Sequence, residues 1–124
     1  MKRDGACESI WQGTVTPFSP VDKDIATEVF DVVVVGGGIT GITTGLLLQQ
    51  AGKKVLIAEA YNLCFGTTGG TTSHINSFLD TTYHDIQKDF GEDNAQLVAR
   101  ATTESLQLFG RHVQEYAIDC GYEV

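Results

Sequence analysis

The chain of 124 residues is long enough for one domain with a modest core, since 42% of its residues are hydrophobic and no apolar run is long enough to span a bilayer. Eight Lys and Arg against sixteen Asp and Glu leave a formal charge of −8, which argues against a nucleic-acid surface or an anionic membrane as partner. The three cysteines, Cys7, Cys64 and Cys120, are widely spaced and odd in number, with no C-x-x-C pair and no Cys/His cluster at zinc spacing, so free thiols and no metal site are expected. The basic N-terminus lacks the apolar core of a secretory signal, and a cytoplasmic location is the expectation.

Residues 1–29 carry Gly13, Pro17 and Pro20 among many Ser and Thr, with Trp11, Val15, Phe18 and Val21 spaced through them. This composition predicts an extended arm laid over a domain and pinned by a few apolar side chains, with a disordered leader as the alternative; it does not predict a helix or a core strand. The rest, residues 30–124, is expected to form a partial cofactor-binding domain.

From Asp31 to Glu59 the chain runs DVVVVGGGITGITTGLLLQQAGKKVLIAE. Four valines, Val32–Val35, suit a strand buried on both faces of a parallel sheet. Gly36, Gly38 and Gly41 then make G-x-G-x-x-G across a strand-to-helix turn. The first permits the tight turn, the second a close approach of backbone to a pyrophosphate, and the third a helix lying close against the strand. A helix is predicted over 39–51, with Ile39, Ile42, Leu46 and Leu47 on its apolar face and Gly52 as its stop. A second strand follows over 54–58, parallel to the first. The amides from Ile39 onward and the positive end of the helix dipole favour an anion. Glu59 ends the second strand where this fold places its ribose-binding acid, and a carboxylate there disfavours the 2′-phosphate of NADP. The motif alone leaves FAD and NAD open.

After Glu59 the loop AYNLCFGTTGGTTSHINS sets Gly66, Gly69 and Gly70 among Thr67, Thr68, Thr71 and Thr72. Such a loop can wrap a polyanion with amides and hydroxyls, or be a flexible loop of small residues. A short helix is expected over 82–90, ended by Gly91, and a long one over 93–117 with Val98, Ala101, Phe109 and Val113 toward a core and Arg100 and Arg111 in solvent. His84 and Asp85 are adjacent on a helix and do not face each other, so they make no catalytic pair. Residues 118–124 suggest a strand beginning.

Taken together, the dinucleotide segment, GTTGGTTSH, and YHDIQKDFG with its long helix resemble the N-terminal part of FAD-dependent oxidoreductases of the D-amino acid oxidase superfamily. The likeness is strongest to the glycine oxidase-like members that often carry a C-terminal Rieske domain, and it runs from about Ile10, with the SIW and TPF arm, to the last residue. The resemblance implies a Rossmann-like α/β FAD-binding unit with following helices, an incomplete portion of a two-domain flavoenzyme. It implies oxidation of a C–N bond in a small amine or amino acid, with hydride passing to the flavin. For this sequence it implies Gly36, Gly38, Thr40 and Gly41 at the pyrophosphate, Glu59 at the adenosine ribose, and Thr67, Thr68, Thr71 and Thr72 near the pyrophosphate and flavin, with Ile39, Ala60 and Gly69 counted among the cofactor-binding residues. His74 would lie near the flavin edge; the residues alone make it polar surface. Relatives often carry a His or other larger residue where Gly70 stands.

No catalytic base or substrate-carboxylate clamp is visible, and the paired Cys and His of a 2Fe–2S Rieske site are absent, so any such cluster belongs to a longer parent. Two strands leave sheet edges unpaired. The expectation is an N-terminal fragment holding a cofactor half-site with little turnover of its own. An NAD-binding module and a truncated non-enzymatic remnant are the alternatives.

Overall fold

The computed structural model of the chain describes residues 7–20, 25 and 27–123. These fall into two compact units that divide between Thr72 and Ser73.

In the first unit, a short helix α1 (Ile10–Thr14) precedes strand β1 (Val32–Val35), helix α2 (Ile39–Gln50), strand β2 (Val55–Ala58) and a single helical turn α3 (Thr67–Gly70). The strands pair in parallel, Val32 opposite Val55 through Val35 opposite Ala58. Asp31 steadies the entry to the pair: its amide donates to the Lys54 carbonyl at 2.9 Å, and its carboxylate accepts from the Lys54 amide at 2.8 Å. The Lys54 ammonium meets Glu28 at 2.8 Å and sits 4.9 Å above the Phe30 ring. The β-α-β unit is thus formed, with α/β architecture.

Burial in this sheet differs from expectation. Val32 and Val34 are half-buried, but Val33 is 54% and Val35 86% exposed. Alternation is what a parallel pair shows when a helix, here α2, packs on it from one face. On α2 itself Ile42 and Leu46 are half-buried, whereas Ile39 and Leu47 are exposed and the buried position is Gly45. Helix and sheet approach so closely that a Cβ on Gly45 would stand 2.9 Å from Ile57 Cδ1, so the contact is made by backbone where periodicity suggested leucines.

The arm also departs from expectation. It holds helix α1, capped by Ser9: the hydroxyl accepts from the Gln12 amide at 3.1 Å, and Gln12 Oε1 accepts from the Ser9 amide at 3.0 Å. This reciprocal capping box satisfies two donors that the first turn would otherwise leave open. Trp11, Val15 and Phe18 are exposed, so apolar side chains do not pin the arm; Val21 lies outside the described residues.

In the second unit, helix α4 (Tyr83–Phe90) packs on helix α5 (Glu92–Glu115). Thr82 caps α4 by accepting from the Asp85 amide at 3.2 Å, and Gly91, at φ 88°, ends it and opens α5. Ile86 and Ala95 are the buried apolar side chains among the described residues. Val98, Phe109 and Val113 are half-buried as the periodicity suggested, Arg100 and Arg111 are exposed, and Ala101, expected inward, is exposed. The Tyr83 hydroxyl donates to the Ser77 carbonyl at 2.7 Å and lies 3.0 Å from Thr102 Oγ1.

Residues 118–123 form no strand. Ala117, at φ 48°, turns the chain, the Ile118 amide donates back to Val113 at 2.9 Å, and Tyr122 stacks at a tilt on Phe109 with ring centroids 5.4 Å apart. A strand needs a ladder partner; here the segment folds back on its own helix instead.

A candidate dinucleotide site at the glycine turn

The chain leaves β1 at Gly36, whose amide completes the ladder by donating to the Ala58 carbonyl at 2.8 Å and whose φ of 99° lies where a side chain would be strained. A Cβ on Gly41 would collide with the Gly36 carbonyl oxygen, so only glycine lets the first turn of α2 close on the end of β1. Helix α2 starts at Gly38 with no side-chain cap. Its first-turn amides, Ile39, Thr40 and Gly41, therefore have no acceptor within the helix and stand at the positive end of its dipole.

Glu59 closes the other side. Its Oε2 accepts from the Gly37 amide at 2.6 Å and its Oε1 from the Tyr61 amide at 2.9 Å. Each carboxylate oxygen offers two lone-pair directions, so the group can hold this turn and still accept from hydroxyls. Glu59 and the neighbouring Ala60 are exposed at the end of β2.

The Gly/Thr segment meets the same place. It is not a loop throughout: residues 67–70 make a turn of helix, and Thr68 Oγ1 accepts from the Ile39 amide at 3.1 Å. Gly69 is buried, Thr71 half-buried, and Thr67 and Thr72 exposed. His74 is exposed and belongs to the second unit. Gly36, Gly38, Ile39, Gly41, Glu59 and Thr68 thus converge on one turn.

Sequence reasoning missed several contributors. Gly37, passed over between its neighbouring glycines, is buried; its amide goes to Glu59 and its carbonyl accepts from the Cys64 amide at 2.8 Å. Cys64, at φ 59°, has its thiol pKa pushed up, first by burial and then by the charge of Glu59. Ser9, Trp11 and Gln12 of α1 donate to the carbonyls of Gly69, Thr71 and Phe65. The S-x-x-Q spacing of Ser9 and Gln12 was the readable signal for that helix.

A glycine-lined turn, a helix N-terminus that begins on glycine and a strand-end carboxylate, in that order, define a dinucleotide-binding β-α-β protein. Residues 31–124 match the DAO family of FAD-dependent oxidoreductases, and the chain belongs to that family. It is 37% identical over 90 residues, 73% of its length, to YhfW of Bacillus subtilis (strain 168), whose name places it among Rieske 2Fe-2S iron–sulfur proteins. It is 29% identical over 114 residues, 92% of its length, to gamma-glutamylputrescine oxidoreductase of Escherichia coli (strain K12). An aerobic glycerol-3-phosphate dehydrogenase of Staphylococcus saprophyticus is 36% identical over 59 residues, 48% of the chain. The chain spans 18%, 27% and 11% of the lengths of these three relatives. No solved structure matches it. No helix among the described residues is long and apolar enough to cross a membrane.

Proposed function

We propose that the chain supplies the FAD-binding turn of a flavin-dependent oxidoreductase that oxidises a C–N bond in a small amine or amino acid. The observation that carries the reading is the arrangement around Gly37 and α2: the first-turn amides of a helix whose own N-cap is glycine, with the Thr68 hydroxyl on the Ile39 amide and Glu59 held beside them at 2.6 Å from the Gly37 amide. The amides of Gly38, Thr40 and Gly41 receive the pyrophosphate, with Ile39 joined to it through the Thr68 hydroxyl that accepts from its amide; Glu59 with Ala60 takes the adenosine ribose, and Thr67, Thr68, Gly69, Thr71 and Thr72 flank the phosphates toward the flavin. Bound FAD supplies the two-electron acceptor. The chain's own residues fix its position and, through the negative charge of Glu59, exclude a 2′-phosphate.

The amine class of substrate is supported by the likeness to gamma-glutamylputrescine oxidoreductase, which covers 92% of this chain. Isothermal titration of the protein with FAD, ADP and NADP tests the reading. FAD and ADP are expected to bind and NADP to bind at least tenfold more weakly, the effect of roughly 1.4 kcal/mol of repulsion. Absence of FAD and ADP binding, or tighter binding of NADP, overturns it.

A further inference from the structure

Helix α3 has four residues and an N-cap, Gly66, that offers no side chain. A single turn of that length does not hold itself, because its nucleation is unfavourable and its carbonyls lack partners within the helix. Its support comes from α1. The Ser9 hydroxyl donates to the Gly69 carbonyl, Trp11 Nε1 to the Thr71 carbonyl at 2.8 Å, and Gln12 Nε2 to the Phe65 carbonyl at 3.3 Å, so the turn is gripped before its start, within it and at its end. Both polar side chains are used twice. Ser9 Oγ also accepts from the Gln12 amide, and Gln12 Oε1 from the Ser9 amide, so the capping box that forms α1 also sets the direction of the donors facing α3.

The fit leaves little freedom. Gly69 is buried, and a Cβ there would strike the Cys64 carbonyl and stand 3.1 Å from Gln12 Nε2. From this gripped turn Thr68 Oγ1 accepts from the Ile39 amide, a first-turn donor of α2 that lies 29 positions away in the chain, and the hydroxyl keeps its own proton to donate to a diphosphate oxygen in that amide's place.

We propose that α1 is a clasp that positions Thr68 at the N-terminus of α2, so that Ser9, Trp11 and Gln12 set the affinity for the diphosphate of the bound dinucleotide without touching it. They are positioning residues acting through α3. The inference rests on the dinucleotide reading above, and its test separates the two.

The test measures dissociation constants for ADP and for adenosine on the intact protein and on S9A, S9T, W11F, T68V and the W11F/T68V pair. Adenosine lacks the diphosphate, so a clasp acting on α3 should leave its binding unchanged. S9A and W11F should each weaken ADP about fivefold, the effect of one net hydrogen bond, and S9T, which keeps the hydroxyl, should restore wild-type binding. W11F should add nothing to the loss in T68V, because both act on one contact. Parallel losses of ADP and adenosine, or additive losses in the pair, overturn the clasp and leave α1 as a structural strap. Wild-type ADP binding in S9A and W11F overturns the clasp alone. An intact protein that binds neither ADP nor FAD overturns the dinucleotide reading, and the clasp with it.

Discussion

In the first unit the buried residues among those described are Gly37, Gly45 and Gly69, whereas in the second they are Ile86 and Ala95. The glycine turn is assembled by backbone coming close to backbone, Gly41 against the Gly36 carbonyl and Gly69 against the Cys64 carbonyl, and by one carboxylate, Glu59, accepting from the amides of Gly37 and Tyr61. The α4–α5 pair is assembled by side-chain burial and two helix ends meeting at Gly91. Close backbone approach leaves room for a ligand to lie against the main chain. Apolar burial gives cohesion and no recognition.

The comparison breaks most sharply at Gly41. An Ala there must push its Cβ into the Gly36 carbonyl, which is backbone and cannot swing aside, so G41A should cost upwards of about 3 kcal/mol and abolish ADP binding in a titration. At Gly45 the obstacle is the far end of the Ile57 side chain, so G45A should retain binding. Equal losses in the two variants would refute the view that the turn depends on this single approach.

Ile86→Ala tests the other region. Ile86 is 8% exposed, and removing three carbons from it should cost about 2–3 kcal/mol, seen as a lower midpoint in urea, with ADP affinity unchanged. A comparable loss of ADP affinity would show that the two modes of assembly are not separable.

A smaller effect belongs to Glu59→Gln. The amide nitrogen turns a donor toward one of the two backbone N–H groups that the carboxylate now accepts, so about 1 kcal/mol of support for the turn is lost. Removing the charge should also narrow the preference for ADP over its 2′-phosphorylated counterpart. Undiminished discrimination in titrations with both ligands would assign that preference to another group.

These differences also explain what was legible in the chain. Gly36 and Gly41 announce themselves because backbone stereochemistry is local: a φ of 99° or a collision with a neighbouring carbonyl demands a residue type at a position. The ends of α4 were equally readable, since Thr82 and Gly91 act within one turn. The exposure of Val33 and Val35 was not readable, because four valines state only that a strand forms; which faces are covered depends on what packs there. Helix α1 was missed for another reason. Five residues give no apolar period to support the S-x-x-Q signal of Ser9 and Gln12, and the carbonyls that dock the helix, on Gly69 and Thr71, lie 60 positions from Ser9 and Trp11. The helical turn at 67–70 escaped for the same cause, since TTGG has poor helix propensity and is held from outside.

The smallest expected effect lies at Cys64, where backbone assembly encloses a thiol. Burial, and then the nearby charge of Glu59, hold its pKa above the ordinary 9.0. The folded protein thus binds the thiol proton more tightly than the unfolded chain does. The resulting stability is fully present below pH 9.0 and is lost as pH rises from there through the raised folded value. Alkylation by iodoacetamide at pH 9 should be slower at Cys64 than at the exposed Cys7 and Cys120, because thiolate is the reactive form and access is restricted. In E59Q the rate at Cys64 should rise only modestly, because the charge is the lesser cause and burial remains. A rate at Cys64 equal to those at Cys7 and Cys120 would mean that the Gly37 carbonyl does not hold this segment closed in solution. A large acceleration in E59Q would instead make the carboxylate, rather than burial, the principal guard of the thiol.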